Sequence, residues 1–282
     1  MSAMPDRPSP TQRPTTAPKA ETPPALIALL PMKAHSARVP NKNFRPIAGK
    51  PLFRWVLDTL LALPAVARVV INTDAHEQLA RAGLEAGGRV LIRDRRAELC
   101  GDAVSMNKVL ADDIAACPAQ AYLMTHTTNP LLSTPTLARA IDRFAAVRRD
   151  TTADSLFAVT RLQTRLYGAD GTPLNHDPDN LIPTQDLAPL YEENSNFYLF
   201  TAQSFAATGA RIGARPQMVE TPKVEAVDID DADDWAMAEA LLLYRQRAQP
   251  AAETPASAPG AATTTDPGGD TASPAAPREP RP

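Results

Sequence analysis

Cysteine is scarce in this chain: two residues in 282, Cys100 and Cys117. Their spacing fits neither a CxxC pair nor a zinc site, so a disulfide framework and a structural metal are both unexpected. A reducing cytoplasm is the predicted compartment. A basic excess is also missing. The formal net charge of -3 argues against bulk nucleic-acid binding while leaving room for a local basic site. No apolar run approaches the roughly 20 residues needed to cross a bilayer. The first residues show no basic segment followed by an apolar one, so no secretory signal is expected. Walker A and GxGxxG sequences are absent too, which weakens P-loop and dinucleotide-binding readings.

Proline is abundant, with 29 residues, but most of it falls at the two ends. Residues 1–24 and 249–282 are rich in Pro, Thr and Ala and poor in large apolar side chains. Such composition cannot offset ordering entropy, and both segments are predicted to be disordered tails. Residues 25–248 are long enough for one domain with a proper core.

Within that domain, apolar runs alternate with helical periodicity. Buried strands are predicted at Ala25–Leu30, Arg68–Asp74, Val90–Ile92 and Ala121–Met124. Helices are predicted from Pro51, over Ala75–Ala86, over Ser105–Ala116 and over Thr134–Val147. The alternation predicts an α/β fold with a mostly parallel sheet covered by helices on both faces. Later in the chain, strands are expected at Ser155–Thr160, Asn196–Phe200 and Val224–Ile229, with a closing helix over Asp231–Arg247. Residues 161–193 form a small insertion, with a hairpin tip at Asp170-Gly171.

Three clusters carry chemistry. The first is the loop after the first strand, which holds Lys33, Ser36, Arg38, Lys42 and Asn43. Cations and hydroxyl donors packed at a strand's carboxyl end suit a phosphate chain, where ligands of parallel sheets sit. The plain alternative is a solvated basic loop. The second is Asp228-Ile229-Asp230. In a strand, both carboxylates would share one face and could hold Mg²⁺, a hard cation served by oxygen ligands. The alternative is helix capping, a role that also fits Asp231, Asp233 and Asp234. The third is polar residues beside strands: Glu192 to Tyr198, a site rim or an ordinary loop, and His126. A lone histidine is more often structural, although its strand-end position favours a site.

Taken in chain order, these segments resemble the acylneuraminate cytidylyltransferase family (CMP-sialic acid synthetases and relatives). The resemblance rests on Lys33 to Asn43 followed by Gly49-Lys-Pro-Leu52, Val70 to Asp74, Arg95 to Leu99, Asp102 with Ser105, His126 to Leu131, Asn194 to Tyr198, and Asp228-Ile-Asp230. The Ser-x-Arg-x-Pro-x-Lys spacing of the loop is also similar to Kdo cytidylyltransferases. The resemblance implies a Rossmann-like nucleotide-diphospho-sugar transferase fold and a cytoplasmic homodimer whose hairpin insertion helps form the interface. It implies that the anomeric hydroxyl of an acidic 2-keto sugar attacks the α-phosphate of CTP, expelling pyrophosphate. Lys33, Ser36, Arg38, Lys42, Asn43, Arg95 and Ser105 would bind the nucleotide. Asp228 and Asp230 would hold Mg²⁺, with Lys42 beside them in catalysis. His126, Gln185 and Asn194 would face the sugar. Lys33, Ala37, His126 and Thr184 stand where the family has Arg, Lys, Gln and Arg. The phosphate side is therefore expected to be largely retained and the sugar side altered, favouring a nonulosonate other than N-acetylneuraminate or a smaller acidic sugar. Two other readings use the same residues: a glycosyltransferase that binds a nucleotide sugar, and a non-catalytic nucleotide-binding regulator.

Overall fold

The computed structural model describes residues 25–248 of the 282. The tail expectations for 1–24 and 249–282 lie outside the described residues. In chain order the strands are β1 (Leu26–Leu29), β2 (Pro46–Ile47), β3 (Lys50–Pro51), β4 (Arg68–Thr73), β5 (Val90–Asp94), β6 (Ala121–Thr125), β7 (Ser155–Leu162), β8 (Leu190–Phe200) and β9 (Pro216–Glu220). The helices are α1 (Leu52–Leu61), α2 (His76–Arg81), α3 (Met106–Ala116), α4 (Thr134–Arg149), α5 (Ala202–Thr208) and α6 (Ala232–Ala248). Seven strands form one sheet in the order β5-β4-β1-β6-β8-β7-β9, and β8 alone runs against its neighbours. This is the mostly parallel α/β sheet that the alternating pattern predicts.

Period-two alternation divides the core between the two faces of β1. Leu26, Ala28 and Leu30 face Phe53, Val56, Leu57 and Leu60 of α1 and Leu137, Ala140 and Phe144 of α4. Ile27 and Leu29 face the other way, among Leu110 of α3, Tyr122 and Phe205 of α5. Full burial of each such leucine contributes about 1.5–3 kcal/mol. A third cluster seats α6: Trp235, Ala238 and Leu242 pack on Leu52, Leu131 and Ile229.

Local signals set several boundaries. Ser133 starts α4 by accepting from the Thr136 amide at 3.3 Å. α5 opens with a reciprocal capping box between Thr201 and Ser204 and ends at Gly209, whose φ of 69° requires the left-handed conformation glycine supplies.

Three departures from the predicted elements bear on the site. The segment Val224–Ile229 is not a strand. Residues 223–226 form a turn, and 227–230 belong to no regular element. It is anchored by the Ile229 amide donating to the Thr128 carbonyl at 2.9 Å and by the burial of Ile229. The strand that joins β7 is instead β9, and α5 precedes it. The α2 helix is six residues, ending well before Gly87.

Candidate active site

Three strand ends converge on one cavity of about 510 Å³. The loop after β1 contributes Lys33, Ser36, Arg38, Lys42 and Asn43, β5 leads into Arg95, and β6 leads into His126, Thr127 and Thr128. Leu99, Val104, Met106 and Val109 give a further, apolar wall. The location is the crevice beyond the carboxyl ends of β1 and β6, where the chain's crossovers part to opposite sides.

The loop is held from below by hydrogen bonds to the framework. Asn43 is buried. Its amide donates to the Lys33 carbonyl at 2.9 Å, and its Oδ1 accepts from the Thr127 hydroxyl at 2.6 Å. The Ala34 amide donates to Asp74 at 2.7 Å. Arg95 lines the cavity but spends its donors on the framework. Nε reaches Asn72 Oδ1 at 2.9 Å, and Nη2 reaches the Asn72 and Met32 carbonyls at 2.8 and 3.1 Å. Its visible role is to tie the end of β1 to β4. Asn72 in turn donates to buried Asp113 at 2.8 Å.

The cations meet carboxylates. Lys33 is paired with Asp102, whose carboxyl it holds below the ordinary range. Arg38 Nη2 lies 2.6 Å from Asp230 Oδ1. Lys42 donates to the Ile229 carbonyl at 2.7 Å and stands 3.6 Å from the same Asp230 oxygen. Burial pushes the Lys42 ammonium below its usual value, against the pull of Asp230 and Asp228.

Asp228 and Asp230 flank Ile229 although no strand aligns them; Asp230 meets the cavity-lining Arg38 and Lys42, and Asp228 lies against Thr128. The pair is positioned from two sides. Buried Glu225 accepts from the Ser133 amide at 3.1 Å and from its hydroxyl at 2.8 Å, which pins the preceding turn to the start of α4. On the other side, Asp231 accepts from the amides of Asp233 and Asp234. Asp234 accepts from those of Asp230 and Asp231. Capping of α6 thus falls to Asp231 and Asp234 and leaves the Asp230 side chain to the cavity.

The residues fit a hard divalent cation. Asp228 Oδ1 is buried with no hydrogen-bond partner. Burial raises the pKa of that carboxyl, and neighbouring Asp230 adds to the rise. A partly buried carboxylate with one unpartnered oxygen, compensated only in part by Thr128 and Lys42 and standing beside a second carboxylate, is a donor set a cation would complete. Among the described residues no group of three His, Cys, Asp or Glu could hold a metal alone. Magnesium commonly uses one or two carboxylates together with substrate phosphates and water.

The remaining predicted residues are dispersed. Ser105 caps α3, accepting from the Asn107 amide at 3.3 Å, and does not line the cavity. Asn194 is buried in the sheet. Its amide donates to the hydroxyls of Thr160 and Thr221 at 3.0 and 2.7 Å. The inward turn comes from an irregular β7–β8 register, with Ser195 at φ 59°. Gln185 lies exposed in a single 3-10 turn at Thr184–Asp186, where its carbonyl accepts from Gln163 at 2.6 Å. His126 does line the cavity. Packing around its ring, with Arg211 and Lys42 nearby, pushes its pKa down to about 3, so the imidazole is neutral at physiological pH. Beyond it lies Arg211, 3.4 Å away, a residue in no motif and found only through tertiary contact.

The fold and the site define an α/β nucleotidyltransferase. The chain belongs to the cytidylyltransferase family, whose model matches residues 27–236. It is similar to a CMP-N,N'-diacetyllegionaminic acid synthase of Legionella pneumophila, with 24% identity over 239 residues, covering 79% of this chain and 98% of the relative. A pseudaminic acid cytidylyltransferase of Campylobacter jejuni is 23% identical over 231 residues, covering 78% and 96% respectively. N-acylneuraminate cytidylyltransferase A of Danio rerio is 27% identical over 244 residues, covering 81% of this chain and 53% of that protein. Among solved structures, a CMP:2-keto-3-deoxy-manno-octonic acid synthetase complexed with CTP superposes with a TM-score of 0.54 at 15% identity, covering 78% of this chain and 99% of that one. A 4-diphosphocytidyl-2C-methyl-D-erythritol synthase gives 0.55 at 16%, covering 77% and 99%. These two likenesses concern the fold.

Proposed function

We propose that this chain is a Mg²⁺-dependent cytidylyltransferase that joins CTP to the anomeric hydroxyl of an acidic 2-keto sugar of the nonulosonate class. The observation that carries the proposal is the convergence of Arg38 and Lys42, which line a cavity with an apolar wall, on Asp230, next to Asp228 with its unpartnered Oδ1. Cations so placed suit a triphosphate, and the apolar wall suits a base. The named relatives act on several different acids of this class, which supports the class and leaves the individual acid open.

In this reading the anomeric oxygen attacks the α-phosphorus and the bond to the bridging oxygen of the β-phosphate breaks, so that pyrophosphate leaves. Lys33, Arg38 and Lys42 exchange their present carboxylate partners for phosphate oxygens. Their fixed charge then meets the negative charge that grows on the leaving group. Ser36 adds a hydroxyl donor, and Asn43 keeps the loop closed beneath the phosphates. Asp228 and Asp230 would hold Mg²⁺, which supplies charge neutralisation at the phosphates. His126, neutral and at the end of β6, faces the sugar side.

The same reading extends to assembly and compartment. Tyr167, Leu174, Leu181, Ile182, Leu190 and Tyr191 are exposed apolar residues gathered in and beside the 161–193 excursion. A second copy of the chain would cover them in a homodimer. Both cysteines are free, in keeping with a cytoplasmic enzyme. Among the described residues no helix is long and apolar enough to cross a membrane. The test is pyrophosphate release from CTP, Mg²⁺ and a panel of 2-keto sugar acids. CTP binding without release for any acid would instead favour a non-catalytic regulator.

A further inference from the structure

Arg211 lies in the loop after α5, in no predicted motif, yet its guanidinium is firmly aimed. It lies over the Tyr198 ring at 3.9 Å from the centroid. One nitrogen is 3.3 Å from Glu193 Oε1 and the other is 3.4 Å from His126 Nε2. The Tyr198 hydroxyl donates to the same Glu193 oxygen. The side chain is only 21% exposed. A guanidinium stacked on an aromatic ring and already facing one carboxylate is pre-organised to receive another in its fork.

The cations that line the cavity are otherwise engaged. Lys33, Arg38 and Lys42 stand on the β1 side, on the loop read here as the phosphate cradle. Arg95 is turned to the Asn72 and Met32 carbonyls. Arg211 stands across β6 from that loop, reached through His126, because β8 follows β6 in the sheet. In the ring form of a 2-keto acid, the carboxylate and the anomeric hydroxyl share one carbon atom. A cation for that carboxylate must therefore stand close to the attacking oxygen. Arg211 adjoins the cavity through His126, whose ring also feels the charges of Lys42 and Asp230.

We propose that Arg211 binds the carboxylate of the sugar acid and so selects acidic acceptors, with Tyr198 and Glu193 holding its fork in place until the substrate carboxylate displaces Glu193. This assignment rests on the cytidylyl-transfer reading for the identity of the acceptor. Nothing in the sequence motifs marks the residue.

The test compares the full-length wild-type chain with Arg211→Ala and Arg211→Lys. The acids are N-acetylneuraminate, N,N'-diacetyllegionaminate, pseudaminate and 3-deoxy-manno-octulosonate, each also as its methyl ester. Pyrophosphate release gives KM and kcat. Calorimetry gives binding of each acid in the presence of a non-hydrolysable CTP analogue. In Arg211→Ala, KM for the accepted acid should rise roughly thirtyfold or more, while KM for CTP is unchanged. Lysine should recover part of that loss. Preference for the free acid over its ester should vanish in the alanine variant. An unchanged KM for the acid, or an equal loss toward CTP, overturns the assignment. If wild type releases no pyrophosphate with any acid, the transfer reading falls, and calorimetry still decides Arg211. Acid binding that needs the arginine upholds its role. Equal binding by wild type and variant, or none by wild type, overturns it.

Discussion

Replacing Asp228 by asparagine should separate stability from turnover. The carboxylate is buried, its Oδ1 has no partner, and burial raises its pKa above 3.8, with Asp230 adding to the rise. A raised carboxyl pKa means that the folded state holds the proton more tightly than the unfolded chain does. The group's contribution to stability is thus fully present below pH 3.8 and is lost as pH rises through the folded-state value. At neutral pH the wild type carries a buried charge that the Thr128 hydrogen bond and the Lys42 ammonium offset only in part, with Oδ1 left unpartnered. An unsatisfied buried polar group costs about 1–3 kcal/mol. Asparagine has nearly the same shape and removes the charge. Asp228→Asn should therefore be as stable as wild type at pH 7.5, or up to about 1 kcal/mol more stable. That corresponds to a Tm higher by as much as about 2–4 °C. The difference should shrink to nothing below pH 3.8. Turnover should move the other way. Removing one of the two carboxylates proposed to hold the metal should forfeit several kcal/mol of charge stabilisation, or roughly a hundred- to a thousandfold in kcat. Thermal unfolding from pH 3.5 to 8 gives the first quantity and coupled pyrophosphate detection the second. A variant that is destabilised by more than about 2 kcal/mol, or that turns over like wild type, would refute this account of Asp228.

Lys42→Met removes a cation that donates to the Ile229 carbonyl, while Arg38 remains on Asp230 at 2.6 Å. CTP affinity should fall roughly 10- to 100-fold for one lost charge-assisted bond, measured by calorimetry, with stability lowered by about 1 kcal/mol. For His126, burial and Arg211 push the pKa from 6.5 down to about 3, so the unfolded chain takes up a proton that the folded state refuses. Wild-type stability should fall as pH drops below 6.5, by up to about 1.4 kcal/mol per pH unit, and His126→Gln should flatten that slope in denaturant titrations at pH 7.5 and 5.5. Asn43→Ala loses bonds to the Lys33 carbonyl and the Thr127 hydroxyl. Unfolding should be easier by about 1–3 kcal/mol, and CTP binding should weaken with it. An alanine variant with normal stability and CTP affinity would show that the loop needs no such support.

The cationic half of the site was legible in the sequence because one continuous loop holds it, directly after a buried strand whose sheet position fixes where that loop must lie. The acidic pair was legible by residue type, but its local structure was not. Alternation around Ile229 looks like a strand, yet a single anchored amide and the Glu225–Ser133 contacts suffice to hold the segment in place. Strand β9 escaped because it opens on Pro216 at the sheet edge, where no apolar run is required. The inward turn of Asn194 depends on a register irregularity with Ser195 in the left-handed region, which no composition signal marks. Arg211 could not be placed from sequence at all. Its partner His126 is 85 positions away and meets it only once β8 has come to lie beside β6.

The central claim is tested most directly by incubating the purified full-length protein with Mg²⁺, each of the four nucleoside triphosphates and each acid of the panel, and measuring pyrophosphate. The account predicts release with CTP and at least one 2-keto sugar acid, dependent on both substrates. CTP binding without release for every acid, or release that follows another nucleotide, would contradict it.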